Sequence, residues 1–246
     1  MKLKKSLGQH ILVSKGVLKK IASCIDIEKK TVIEIGGGTG NLTRELLEKN
    51  PEKLIVVEID REMVEVLRSI NRENIEIVNE DASTYEFCKH GKDLVVIGNL
   101  PYNMYSLIIE NIVRHHYCIR EACFLLQKEV SERIVGKINV GWLSLLVRTF
   151  YRVEYIMTVP SRFFKPPPKV NSGLIKLKRL DKCPVVDIDK YVWLLKKLFS
   201  NRRKMLKNKI NEDILIKCKI DPKARAEKLK PENVLCIYNY MEEAKL

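Results

Sequence analysis

Residues 31–40 constrain this chain more than any other stretch. Thr31-Val-Ile-Glu-Ile35 is β-branched and apolar, as a buried strand requires, and runs straight into Gly36-Gly-Gly-Thr-Gly40. A helical pattern follows, with Leu42, Leu46 and Leu47 on one face. Strand, glycine-rich turn and helix form the opening unit of a nucleotide-binding α/β sheet, because glycine lets the backbone approach a ligand where a Cβ would collide.

The spacing separates cofactors. A dinucleotide fingerprint G-x-G-x-x-G would put its third glycine at position 41, which is Asn41. Here Gly36, Gly38 and Gly40 alternate after Glu34, giving E-x-G-x-G-x-G. That pattern is associated with S-adenosylmethionine, which has no pyrophosphate to seat on a helix N-terminus. A second strand, Leu54–Asp60, carries Glu58, placed to accept the ribose hydroxyls of an adenosyl group. A helix at 61–70 and a third strand, Ile75–Val78, lead to Asp81, placed to meet the adenine amine of the cofactor. Three acids near successive strand ends, Glu34, Glu58 and Asp81, favour a ligand carrying a sulfonium cation.

A fourth strand, Asp93–Ile97, delivers Asn99-Leu-Pro-Tyr102 to the same sheet edge, outside the carboxyl ends of the strands. Asn99 offers an acceptor oxygen to an exocyclic amine, and Tyr102 offers a stacking face. The alternation continues through helices at 106–115, 128–135 and 142–150 and strands at 122–127, 153–159 and 172–177. Beyond about Leu180 the strand signals stop. Residues 1–180 therefore read as the cofactor-binding α/β domain with a basic arm over 1–12, and 181–246 as a small all-helical domain. Its expected helices lie at 188–199, 203–210, 212–218 and 231–242.

A formal charge of +14 points to a polyanionic partner, nucleic acid ahead of a membrane surface. Between Lys190 and Asn211 there are eight basic residues and no acidic one. Such a run is a solvated face in most proteins; beside a base pocket it is equally suited to phosphates. Seven scattered cysteines without C-x-x-C, and no signal peptide, fit reduced thiols in a cytoplasmic setting. No apolar run approaches the roughly 20 residues of a membrane span. No metal site is expected, since none of the four histidines is read as paired with cysteine at ligand spacing.

Taken together, the motifs resemble the ribosomal RNA adenine N6,N6-dimethyltransferases of the small ribosomal subunit, nearly end to end. The matching stretches are Gly8–Leu12, Glu34–Gly40, Val57–Asp60, Glu80–Ala82, Asn99–Tyr102, Gln127–Val130, Phe164–Val170, Leu198–Lys204 and Arg225–Leu229 with Pro231-Glu232. The run Ser200–Lys204 looks closest to archaeal members. The resemblance implies a Rossmann-like class I S-adenosylmethionine-dependent methyltransferase domain with a C-terminal helical domain. It implies cofactor contacts at His10, Leu12, Gly36, Gly38, Glu58, Asp81 and Asn99. The target base falls to Asn99, Leu100, Tyr102 and Phe164, the two rings sandwiching it. RNA contacts are expected from Lys4, Lys5, Lys169, Arg202, Arg203, Lys204 and Lys207.

The implied partner is small-subunit rRNA within the immature small ribosomal subunit, bound by a monomeric enzyme. The alternatives are a large-subunit rRNA adenine methyltransferase of the macrolide-resistance type, or an assembly factor whose methylation is secondary. Three departures stand out: Gly37 where most members have Pro, Tyr105-Ser-Leu107 in place of Ser, Ser/Thr and Pro, and Trp142 where an Arg is usual.

Overall fold

The computed structural model describes residues 10–182, 185–201 and 203–243. It opens with β1 (Ile11–Leu12) and α1 (Lys15–Ala22). Four strands with intervening helices follow: β2 (Thr31–Ile35), α2 (Asn41–Leu47), β3 (Lys53–Val57), α3 (Arg61–Arg68), β4 (Ile75–Val78), β5 (Leu94–Asn99) and α4 (Tyr105–Arg114). Then come β6 (Ile119–Gln127), α5 (Lys128–Val135), α6 (Trp142–Phe150), β7 (Tyr151–Val159), β8 (Phe164–Lys165) and β9 (Ser172–Arg179). The chain continues through α7 (Ile188–Phe199), α8 (Glu212–Lys217) and α9 (Pro231–Glu243).

Seven strands form one sheet in the order β4-β3-β2-β5-β6-β9-β7. The pairings from β4 through β6 are parallel, and β6 pairs β9 antiparallel. Val32, Ile33 and Ile35 on β2, Leu54–Val57 on β3 and Leu94–Ile97 on β5 are all buried. Near-continuous apolar strands are what a parallel sheet covered on both faces demands. Strand order reverses between β2 and its two neighbours, β3 and β5, so a crevice opens at their carboxyl ends.

One strand pair escaped the sequence reading. β1 pairs antiparallel with β8, setting Leu12 opposite Phe164 and Ile11 opposite Lys165. Two-residue strands carry no periodicity, so nothing in the local sequence announces them.

The described residues fall into two compact units. One runs to Glu132 and resumes over Arg152–Arg179; the other joins Arg133–Tyr151 to Leu180 and beyond. In this division α6 groups with the C-terminal helices. Thr149 shows why: its hydroxyl donates to Leu145 O and accepts from the buried Tyr191 hydroxyl, each at 2.8 Å. Asp187 caps α7 by accepting from Asp189 N and Lys190 N.

Two expectations need correction. The helix foreseen over 203–210 is only a 3-10 turn at Leu206–Asn208. The amides of Leu206 and Lys207 donate to Ala224 O and Pro222 O, so they are not available to a helix. The cysteines are not all separate thiols either: Cys88 bonds Cys118, and Cys218 bonds Cys236. Their partners lie 30 and 18 residues away, which spacing alone did not reveal. No described helix is long and apolar enough to cross a membrane.

Candidate active site

A cavity of about 310 Å³ lies at the carboxyl ends of β2, β3, β4 and β5, within the first unit. Its walls include every residue expected to hold the cofactor: His10, Leu12, Gly36, Gly38, Glu58, Asp81 and Asn99. Leu100 and Tyr102 line it as well. A volume near the lower bound for small-molecule sites, roughly 300 Å³, suits an adenosyl-sized ligand.

The glycine turn is locked to the neighbouring strand. Gly36 N–H donates to Val57 O at 2.9 Å, and Gly38 N–H donates to Glu58 Oε2 at 2.9 Å. Gly38 sits in the left-handed region at φ 52°, and space for a Cβ there is open, so the cradle above it is free for a ligand. Gly37 is a different case. A Cβ at that position would lie 2.4 Å from Val56 Cγ1 and 2.9 Å from Leu67 Cδ1. Val56 and Leu67 fill the space that a side chain at position 37 would take.

Glu58 is only 6% exposed, and its other oxygen accepts from Asp60 N at 2.9 Å. Burial raises its pKa, opposed by these backbone donors. Asp81 Oδ1 accepts from Ser83 N at 2.8 Å, which fixes the carboxylate at the cavity wall. Glu34 departs from expectation. It is 0% exposed, does not line the cavity, and neither oxygen has a hydrogen-bond partner. Desolvation raises its pKa to about 8, and the Thr43 hydroxyl beside it offsets that only in part. The third acid is therefore mostly neutral near pH 7 and offers no charge to a sulfonium.

On the far wall, Asn99 Nδ2 donates to His10 O at 3.0 Å. His10 Nδ1 in turn donates to Pro166 O at 2.8 Å, which assigns the proton to that nitrogen. Asn41 Nδ2 donates to Leu12 O at 2.9 Å. The segment 10–12 is thereby stitched to the glycine turn, the Asn99 loop and β8. Tyr102 is held through its hydroxyl, 2.7 Å from Ser172 Oγ, with its ring 5.4 Å from that of His10. Ser172 is fully buried, and sequence reading missed it as a positioning residue.

Phe164 requires a correction. Its ring is 2% exposed within the hydrophobic core and does not line the cavity. Pairing with Leu12 turns it inward, so the ring beside Tyr102 belongs to His10 instead.

Among the basic residues, Lys4, Lys5 and Arg202 lie outside the described residues. Lys190 pairs with Glu242 at 2.9 Å, and Lys209 Nζ donates to Leu198 O at the end of α7. Lys196 and Lys197 lie over the Trp142 and Trp193 rings at 5.0 and 4.7 Å. Trp142 is thus accounted for inside the helical unit. Arg203, Lys204 and Lys207 stay exposed, as does Lys169 in the first unit.

The sequence model of the family described as ribosomal RNA adenine dimethylase matches residues 1–243. This chain belongs to that family. Among relatives of this dimethylase, a ribosomal RNA small subunit methyltransferase A from Persephonella marina is 42% identical, covering 96% of this chain and 92% of its own. A protein of the same name from a Sulfurihydrogenibium species is 40% identical, covering 98% and 97%. The archaeal likeness of Ser200–Lys204 is not echoed in these sources. In structure, the dimethylase superposes on a dimethyladenosine transferase from Plasmodium falciparum with TM-score 0.81 and 28% identity, covering 96% and 99% of the two chains.

Proposed function

We propose that this dimethylase transfers methyl groups from S-adenosylmethionine to N6 of adenines in small-subunit ribosomal RNA. The observation that carries the reading is a pair of open acceptors at one wall of the cavity. Asn99 Nδ2 is spent on His10 O, which leaves Oδ1 as the amide's acceptor. The Leu100 N–H donates to Leu125 O, while its carbonyl receives no described backbone donor outside regular elements.

Adenine N6 has two N–H groups and a lone pair delocalised into the ring. Two acceptors that take the hydrogens localise that lone pair and aim it, which is catalysis by orientation and electrostatics. Bound S-adenosylmethionine supplies the electrophilic methyl group. Gly36, Gly38, Glu58 and Asp81 would hold it, with Glu58 toward the ribose and Asp81 toward the adenine amine. Tyr102 gives the target base a stacking face worth about 1–3 kcal/mol, its ring held by Ser172. Burial raises the phenol's pKa, so Tyr102 stays protonated and is no base. After attack the nitrogen is acidic and releases its proton to water.

The finer reading is a pair of adjacent adenines in the hairpin near the rRNA 3′ end, modified in the immature small subunit by a monomeric cytoplasmic enzyme with a part in subunit maturation. Arg203, Lys204, Lys207 and Lys169 would contact phosphates. The test supplies labelled S-adenosylmethionine and immature small subunits, then maps reverse-transcription stops. Two adjacent stops near the 3′ end are expected; a single stop in large-subunit RNA would overturn the assignment.

A further inference from the structure

A second cluster of chemistry-bearing side chains lies at the other end of β5. Glu86 precedes the 3-10 turn Phe87–His90, which contains Cys88, and His115 directly follows α4. One ligand atom from each of Glu86, Cys88 and His115 lies within 4.8 Å of the others. Cys118, three residues after His115, is bonded to Cys88, so its sulfur adjoins the cluster through that bond. His115 and Cys118 are near in the sequence, which was read as holding no metal site, and Glu86 and Cys88 are brought to them by the fold.

The imidazole is oriented as a ligand. His115 Nδ1 donates to Asn111 O at 2.9 Å, which fixes the ring and leaves Nε2 facing outward from that bond. Nε2 lies 3.0 Å from Glu86 Oε1. An imidazole nitrogen and a carboxylate oxygen at this distance are close enough to serve one metal ion together. Two sulfurs, an imidazole nitrogen and a carboxylate oxygen make a borderline-soft set of four, the number and type that zinc takes in closed structural sites. The second disulfide, Cys218–Cys236, has no such company among the described residues.

We propose that Cys88, Cys118, His115 and Glu86 bind Zn²⁺ when the cysteine pair is reduced. The disulfide is the two-electron oxidised form of the same pair, and a thiol or phosphine reductant returns both sulfurs as thiols. Binding then releases two thiol protons to solvent, and no electrons move. The site is structural rather than catalytic. Leu94 N–H donates to Cys118 O where β5 begins, whereas Asn99 closes the strand at the cavity, about 17 Å away at the usual strand rise. Zinc there pins the turn before β5 to the turn before β6.

The test uses the full-length protein, reduced with a phosphine under anaerobic conditions and titrated with Co²⁺, then Zn²⁺. One equivalent of Co²⁺ should give a thiolate charge-transfer band and tetrahedral d–d bands, both removed by Zn²⁺. Cys88→Ser and Cys118→Ser should each lower affinity at least a hundredfold, and the exposed Glu86→Gln, which leaves the fold intact, at least tenfold. Cys218→Ser with Cys236→Ser, and Cys24→Ser, should leave the bands unchanged. Absence of the thiolate band in the reduced wild type, or its persistence in Cys88→Ser, would overturn the proposal. Full Co²⁺ affinity in Glu86→Gln would remove Glu86 from the ligand set and so refute the four-ligand site.

Discussion

The side-chain amide of Asn99 and the main-chain carbonyl of His10 meet at 3.0 Å, so a residue at the end of β5 fixes the segment that closes the cofactor cavity. The same bond decides which end of the amide is left for a substrate.

Asn99→Ala removes the acceptor and frees His10. Methyl transfer should fall by about a hundredfold or more, as for loss of one preorganised hydrogen-bonding group, while cofactor affinity falls less. Single-turnover transfer and calorimetric titration of S-adenosylmethionine measure the two separately. Near-normal transfer would show that Asn99 does not orient the amine.

Gly37→Ala places a methyl 2.4 Å from Val56 Cγ1. Overpacking of this kind costs about 1–3 kcal/mol, read as a lower urea midpoint at unchanged slope. Val56→Ala in the same chain should recover part of that loss, because it vacates the occupied volume. Additive destabilisation in the double variant would show that the clash is relieved some other way.

Glu34 gives the pH dependence a definite sign. Its folded pKa, about 8, lies above the ordinary glutamate value of 4.5, so folding takes up a proton between those limits. Its stabilising contribution is complete below the unfolded pKa and is lost as pH rises through the folded one, at roughly 1.4 kcal/mol per pH unit. The difference in urea-unfolding free energy between wild type and Glu34→Gln should therefore move against the wild type from pH 5 to 8. A pH-independent difference would mean that Glu34 keeps its charge in the fold.

Arg203, Lys204 and Lys207 are separable from Lys209 although all lie in one basic run. Replacing the first three with Ala should leave thermal stability nearly unchanged and lower the salt slope of binding to an rRNA fragment by about 2–3. Lys209→Ala should instead lower the melting temperature, since its ammonium caps Leu198 O. Filter binding across a salt series, paired with thermal melts, tells the two classes apart.

How much of this was legible beforehand depended on locality. The strand Thr31–Ile35, the helix Lys128–Val135 and the helix Trp142–Phe150 announce themselves through continuous apolar runs or helical spacing, and their bounds were read correctly. Gly36, Gly38, Glu58, Asp81 and Asn99 were readable because each follows a recognisable strand or motif, whereas His10 and Leu12 came from the family resemblance alone. Phe164 was misplaced because its inward orientation comes from pairing with Leu12, 152 positions earlier. Glu34 was misread for a related reason: its position in the sequence shows that it is acidic, but only packing shows that it is dry. Ser172 and the Glu86–Cys88–His115 cluster were invisible for the same cause, contacts between segments far apart in the chain.

The bond between Tyr102 and Ser172 has a consequence in time. Tyr102 belongs to the first half of the chain, yet the hydroxyl that steadies it lies 70 positions later. The His10–Leu12 wall likewise waits for Phe164 and Lys165. During synthesis, strands β2 to β5 are translated well before the segments that hold Tyr102 and the His10–Leu12 wall. Tyr102 therefore gains its hydroxyl partner only once residue 172 has emerged from the exit tunnel.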